Sequence, residues 1–266
     1  GVIYSNQPNI NFSKEAYGPH EKQVAQVMIS QKAQEAEMTN GKAAPLLLFL
    51  HGGAWGSGFA TMYRLLSLPF LKRNYRVVIL GYRTYPDATI EGQVDDLVQA
   101  VEVFTNKYRG VGGNSGPVTV MGHSSGAHVT MLAAMNGRLS SSSVNALIGA
   151  SGVYDIEKQF QQEKKIGVHE MSPMSAANGA SVENFRKYSP AQKIIPKDFP
   201  PVLLIHGAQD DLTLPQNSQD FSHVLGEERC QCYTIDGVGH QDMIYEVALE
   251  GGKAQSVIFD WIESMV

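Results

Sequence analysis

Five residues, Gly122-His123-Ser124-Ser125-Gly126, have the types and spacing to present a serine nucleophile. The β-branched, apolar run 118–121 before them reads as a strand, and residues 126–135 after them read as a helix. A serine at such a strand-to-helix turn stands on strained backbone, with its Oγ projecting above the sheet edge. Side chains two positions before and two after it would collide with each other or with the neighbouring strand, and Gly122 and Gly126 remove them. The turn also sets Ser124 at a helix N-terminus, where unpaired N–H groups favour developing negative charge.

A second segment, His51-Gly52-Gly53-Ala54-Trp55, directly follows the apolar run 45–50. Paired glycines after a buried strand let the backbone approach a ligand and aim its N–H groups at it. In acyl transfer, the amides of Gly52, Gly53 and Ser125 would hold the oxyanion of a tetrahedral intermediate.

A serine nucleophile needs a base, and the base needs an orienting acid. After this kind of turn the acid and the histidine follow the serine in chain order. Residues 201–206 form a late apolar strand, Gly207 turns the chain, and Asp210 comes three residues later. Asp211 is its immediate rival; Asp155, in Gly152-Val153-Tyr154-Asp155, reads as a helix cap. The histidine belongs in a loop after the last strand. Asp236-Gly237-Val238-Gly239-His240-Gln241-Asp242 is such a loop, with glycines that let it curl back. His51, His123, His128 and His206 lie inside the other motifs and read as loop braces. His240 would take the Ser124 proton and return it to the leaving group, while Asp210 fixes the imidazole tautomer.

These residues sit at the ends of strands, so the elements between them decide whether they meet. Strand-like runs at 45–50, 76–80, 118–121, 144–150, 201–206 and 231–236 alternate with helical patterns at 61–72, 91–108, 126–135, 218–225 and 253–265. Val94, Leu97, Val98, Val101 and Phe104 mark one face of the second helix, and Pro69 is expected to kink or end the first. Residues 1–20 are expected to wrap the surface, 23–30 to form an edge strand, and 31–44 a loop or short helix. The glycine-rich stretch 110–116 lacks G-x-x-x-x-G-K-[ST] and reads as a connection. The pattern predicts an α/β fold: a mostly parallel central sheet flanked by helices, with right-handed crossovers. One domain over 1–266 is expected, with 155–199 as a small helical insertion, or cap, above the sheet's carboxyl edge. Its Phe160, Met171, Met174 and Phe185 are candidates, with Trp55, for an acyl pocket.

The chain has 266 residues, a net charge of −5, 43% apolar and 18% charged residues. Its scattered Lys and Arg offer no nucleic-acid footprint, and its apolar runs are too short to cross a bilayer. Cys230 and Cys232 alternate along one strand, which suits neither a disulfide nor a metal set. The chain begins with Gly in place of Met, and a soluble, cytoplasmic protein is the expectation.

The chain resembles the α/β-hydrolase carboxylesterases over nearly its whole length. Within them it is most similar to prenylcysteine methylesterase-type enzymes and kynurenine formamidases. The resemblance is carried by Gly52-Gly53-Ala54-Trp55, Tyr82-Arg83-Thr84-Tyr85-Pro86, Gly122-His123-Ser124-Ser125-Gly126-Ala127-His128, Ser151-Gly152-Val153-Tyr154-Asp155, Tyr188-Ser189-Pro190, His206-Gly207-Ala208-Gln209-Asp210 and Gly251-Gly252-Lys253. It implies a serine esterase for small carboxylic esters that needs no cofactor and no metal; the small size of the 155–199 insertion adds the expectation of short to medium acyl groups. A formamidase or other amidase with the same triad, a serine peptidase and a non-catalytic ligand-binding protein on the same fold are the alternatives.

Overall fold

The computed structural model describes residues 9–41, 43–108 and 116–265, so the connection at 110–116 falls outside the described residues except for Gly116. The chain opens with two strands, β1 (Ile10–Ala16) and β2 (Val24–Ser30), paired antiparallel. Two expectations are corrected here. Part of the segment read as surface wrapping is the edge strand β1, whose INFSKEA sequence is largely exposed and carries no apolar alternation. The segment read as an edge strand, β2, lies inside the sheet between β1 and β4. Gln26 disguises it: this buried polar residue breaks the apolar run, and its amide is satisfied by Thr61 Oγ1 at 2.7 Å.

Helix α1 (Gln31–Asn40) is capped by Ser30 and ends at Gly41 in the left-handed region. Then come β3 (Leu46–Leu50), a 3₁₀ turn (Ala60–Leu66), α2 (Ser67–Lys72), β4 (Arg76–Leu80), α3 (Ile90–Lys107), β5 (Val118–His123), α4 (Ser125–Met135) and β6 (Ala146–Ala150). Pro69 neither kinks nor ends α2; it sits in the first turn, where its missing N–H has no intrahelical partner to lose. Between β6 and the next strand run α5 (Ile156–Lys165), α6 (Met174–Ala177), α7 (Val182–Lys187) and a 3₁₀ turn (Pro190–Gln192). The chain closes with β7 (Val202–Gly207), α8 (Gln216–Leu225), β8 (Cys230–Ile235), α9 (Asp242–Ala248) and α10 (Lys253–Glu263).

The eight strands form one sheet in the order β1-β2-β4-β3-β5-β6-β7-β8. From β4 to β8 every neighbouring pair is parallel. β3, β5, β6 and β7 are buried along their full length, because helices cover both faces. One core holds Val94, Leu97 and Phe104 of α3, Leu132 of α4 and Phe221 of α8 against Leu48, Val120 and Leu204. The other holds Phe70 of α2, Val247 of α9 and Ile258 and Phe259 of α10 against Leu47, Phe49 and Ile148. Each such side chain contributes about 2 kcal/mol through burial. Because the strands are parallel, their carboxyl ends lie along one edge, and the loops that leave them gather there. Among the described residues no helix is long and apolar enough to cross a membrane.

Candidate active site

At the end of β5 the chain turns so sharply that Ser124 takes φ 55° and ψ −124°. A non-glycine residue holds such a conformation only where its surroundings impose it. The Ser124 N–H is held by the Ala150 carbonyl of the neighbouring strand at 2.9 Å. The flanking glycines fit as the spacing requires. A Cβ on Gly122 would lie 2.4 Å from the Gly126 carbonyl oxygen, and one on Gly126 would lie 2.3 Å from the Leu50 carbonyl oxygen.

The loop after β3 curls over this turn through three successive positive φ values: Gly53 at 143°, Ala54 at 50° and Trp55 at 63°. It is fastened from below. Tyr85 N and Gln93 Nε2 both donate to the Trp55 carbonyl, at 2.8 and 2.9 Å. The Trp55 indole N–H donates to His128 Nδ1. The Gly52 N–H is turned toward the hydroxyl of Tyr63, whose pKa burial raises and this amide partly restrains.

Ser124, His240 and Asp210 come together in sequence. Ser124 Oγ lies 3.0 Å from His240 Nε2, and His240 Nδ1 lies 2.7 Å from Asp210 Oδ2. The Asp210 carboxylate is fully paired: Oδ1 accepts the amides of Leu212 and Thr213 at 3.1 and 2.9 Å. Burial pushes its pKa up, but hydrogen bonds from His206 and His240 outweigh burial and hold it well below the usual carboxylate range. Asp211 is exposed, with its backbone carbonyl bound by Gln162. Asp155 caps α5 through Lys158 N, as its position predicts.

The other histidines brace loops. His51 Nδ1–H donates to the Gly52 carbonyl at 2.8 Å, and His123 Nε2–H to the His240 carbonyl at 3.1 Å. His206 bridges Ser218 Oγ and the Thr213 carbonyl. Burial drives His51 down to about 4, His123 to about 3 and His128 to about 4, so all three are neutral at ordinary pH.

Thr213 is the site residue that sequence reasoning missed. Its hydroxyl lies 3.0 Å from Asp210 Oδ2, 3.1 Å from His240 Nδ1 and 3.1 Å from the Ser151 carbonyl. The only sequence signal is its place three residues after Asp210, where a short turn brings side chain and carboxylate together.

A cavity of about 530 Å³ opens over Ser124 and His240, walled by Trp55, Met62, Tyr63, Val153, Val168 and Leu212. The expected pocket lining is corrected here. Met171 lines the rim and is largely exposed, whereas Met174 and Phe185 are buried in the core with Phe160 packed against it. These three anchor the insertion, together with Ile156 and Ala177, by burying the apolar sides of its short helices. Among the described residues, no three His, Cys, Asp or Glu side chains are grouped to ligate a metal. The Cys230 thiol, pushed up to about 12 by burial, stays protonated.

The parallel sheet, the serine turn and the loops at its carboxyl edge define an α/β-hydrolase fold. The chain belongs to the BD-FAE family, whose profile matches residues 35–225. It is 27% identical over 248 residues to an isoprenylcysteine alpha-carbonyl methylesterase of Arabidopsis thaliana, covering 85% of this chain and 57% of that one. It is 25% identical over 217 residues to a kynurenine formamidase of Drosophila melanogaster, covering 78% of this chain and 69% of that one. The crystal structure of esterase B from Lactobacillus rhamnosis superposes with a TM-score of 0.73 at 18% identity, over 97% of this chain and 85% of that one. Family and fold agree, and the named relatives with this fold are esterases and a formamidase. It spans 48–58% of the length of the plant methylesterases it matches.

Proposed function

We propose that the protein is a serine hydrolase that cleaves small carboxylic esters of short to medium acyl length. The observation that carries this reading is the linear contact from Ser124 Oγ through the His240 ring to Asp210, at 3.0 and 2.7 Å. His240 Nδ1–H faces the carboxylate, so Nε2 is the lone-pair end and faces the serine hydroxyl. Ser124 Oγ attacks the ester carbonyl carbon while its proton passes to His240 Nε2. The carbonyl π pair moves onto oxygen, where the amides of Gly53 and Ser125 hold the oxyanion, and the Gly52 amide can join them only by leaving the Tyr63 hydroxyl. Each such donor contributes about 3 kcal/mol in comparable sites. The imidazolium then protonates the departing alkoxide, which leaves as the alcohol and an acyl-enzyme at Ser124. Water repeats the sequence and frees the acid. Asp210, already ionised, stabilises the imidazolium without accepting its proton.

The whole chain 1–266 acts as one domain in this reading, with 155–199 as the cap that covers the cavity. An N-formyl amide is the second reading, supported by the similarity to the Drosophila formamidase; the same attack would release formate. A fluorophosphonate probe tests the shared chemistry. It is expected to label Ser124, with labelling and ester hydrolysis both lost in Ser124→Ala. A label mapped to Ser125, or hydrolysis undiminished in that variant, overturns the assignment. Comparing ester with N-formyl substrates then separates the two readings.

A further inference from the structure

Helix α5 presents two unpaired acceptors on the cavity wall. Gln159 and Glu163 stand four residues apart, so they share one face of the helix. Both line the cavity over Ser124 and both are buried, at 4% and 6% exposure. Gln159 gives its Nε2–H to the Leu212 carbonyl at 3.0 Å, which fixes its amide with Oε1 as the remaining end. That Oε1 has no hydrogen-bond partner, and neither has Oε2 of Glu163. Burial raises the Glu163 carboxyl, while side-chain hydrogen bonds with Ser172 and Gln159 and the nearby His169 hold it down in part, leaving Oε2 as the oxygen without a partner. Buried polar atoms are almost always paired. Two unpaired acceptors on one helix face, both in the wall of the cavity, call for a donor that enters with a ligand. Glu163 is also the sole carboxylate among the described residues of the lining, which holds no Lys or Arg.

We propose that Gln159 and Glu163 form a subsite for a protonated amine, and that the protein selects esters carrying an ammonium group. The proposal rests on the ester-hydrolase reading above. An ammonium carries three N–H donors and no acceptor, so it can serve both oxygens at once, whereas a hydroxyl has one O–H to give. It also balances the charge of Glu163, and a hydrogen bond between two ions is the stronger kind. The apolar side chains of Trp55, Val153, Val168 and Leu212 on the other walls lower the local dielectric and strengthen that attraction.

The test compares matched esters that differ only in a terminal group: methyl, hydroxyl or ammonium. The group is placed on the acyl side in one series and on the alcohol side in the other. In one series kcat/KM for the ammonium ester is expected to exceed that of its methyl partner by about tenfold or more. The ratio is expected to fall to near one in Glu163→Gln, which keeps the side-chain shape and removes the charge. Gln159→Leu is expected to lower it less. A ratio near one in both series for the unaltered protein, or a ratio that survives Glu163→Gln, overturns the subsite. A hydroxyl ester that matches the ammonium ester overturns the choice of a cation. Each reading is a ratio within one variant, so a general loss of folded protein does not imitate it. Calorimetric titration of Ser124→Ala with butylammonium and with butanol reads the same preference without turnover. Failure of ester cleavage with amine binding retained therefore counts against the esterase reading, and equal binding of amine and alcohol counts against the subsite.

Discussion

The indole N–H of Trp55 donates to Nδ1 of His128 at 2.8 Å. The loop that carries Gly52 and Gly53 is thereby tied to the helix that begins beside Ser124. His128 passes the connection on, giving Nε2–H to the Tyr188 carbonyl at 2.7 Å. One neutral imidazole joins the loop after β3, helix α4 and the far end of the insertion. The joint requires a single tautomer, and a pKa near 4, set by burial, keeps the ring uncharged.

Trp55→Phe is expected to keep the aromatic bulk and leave His128 Nδ1 without a donor. An unpaired buried acceptor costs about 1–3 kcal/mol, to be read as a lower denaturation midpoint. If the joint also positions the oxyanion amides, kcat should fall by about tenfold or more, since misplaced donors lose much of their effect. A stability loss with kcat unchanged would show that the joint holds the fold and not the chemistry.

Asp210→Asn should lower kcat by about four orders of magnitude with the fold retained, because asparagine offers the imidazole the wrong hydrogen-bonding partner. Asp211→Asn, at an exposed position, should change it by no more than about twofold. Thr213→Val removes the hydroxyl beside both Asp210 and His240 and should lower kcat by about tenfold, with Thr213→Ser restoring most of it. If Asp211→Asn proved the damaging change, the acid would be the neighbour.

Stability should fall as the medium is acidified. His51, His123 and His128 have folded pKa values of about 4, 3 and 4, pushed down by burial. In the unfolded chain an imidazole titrates near 6.5, so below about pH 6.5 the unfolded state binds protons that the folded state refuses. Each group then removes up to about 1.4 kcal/mol per pH unit, until its folded pKa is reached. Asp210, held below the carboxylate range in the fold, adds a loss of the same sign once the pH drops below about 4. Urea denaturation at about pH 7.5, 6 and 5 checks this. A denaturation midpoint unchanged across that range would contradict the buried, neutral state of these rings.

The parts of the site legible in the sequence are those whose geometry is local. Gly122 and Gly126 lie close enough in the chain for their spacing to announce a tight turn. Asp210 and His240 each follow a recognisable strand at a short distance. Thr213 was not legible, because its hydroxyl gains meaning only when Asp210, His240 and Ser151 converge from three separate strands. The same holds in the sheet. β3 and β7 read as strands because both faces are apolar, whereas β2 carries the buried Gln26 and β1 presents mostly solvent-facing residues. Met174 has the residue type of a pocket wall, yet it is fully buried where the insertion packs on the core. Composition alone does not distinguish a side chain that lines a cavity from one that anchors its roof.

That distinction gives the last prediction. With Met174 in the core, Met174→Ala should destabilise the protein by about 2–5 kcal/mol and leave the order of preference among acyl lengths unchanged. Val168 and Leu212 do face the cavity. Each methylene buried against them contributes about 0.8 kcal/mol, so kcat/KM should climb by about fourfold per added carbon while room remains. The cavity holds about 530 Å³ and is bounded on the side of the insertion by Gln159 and Glu163 of α5 and by Ile166, Val168 and Met171 after it. The climb should therefore stop at medium chains and reverse when the acyl tail meets the wall. Leu212→Ala and Val168→Ala widen that wall and should move the maximum to longer acyl groups. The measurement is kcat/KM across nitrophenyl esters of graded length for these variants and for the unaltered protein. A maximum at long chains in the unaltered protein, or one that moves with Met174→Ala and not with Leu212→Ala, would place the acyl group elsewhere in the fold.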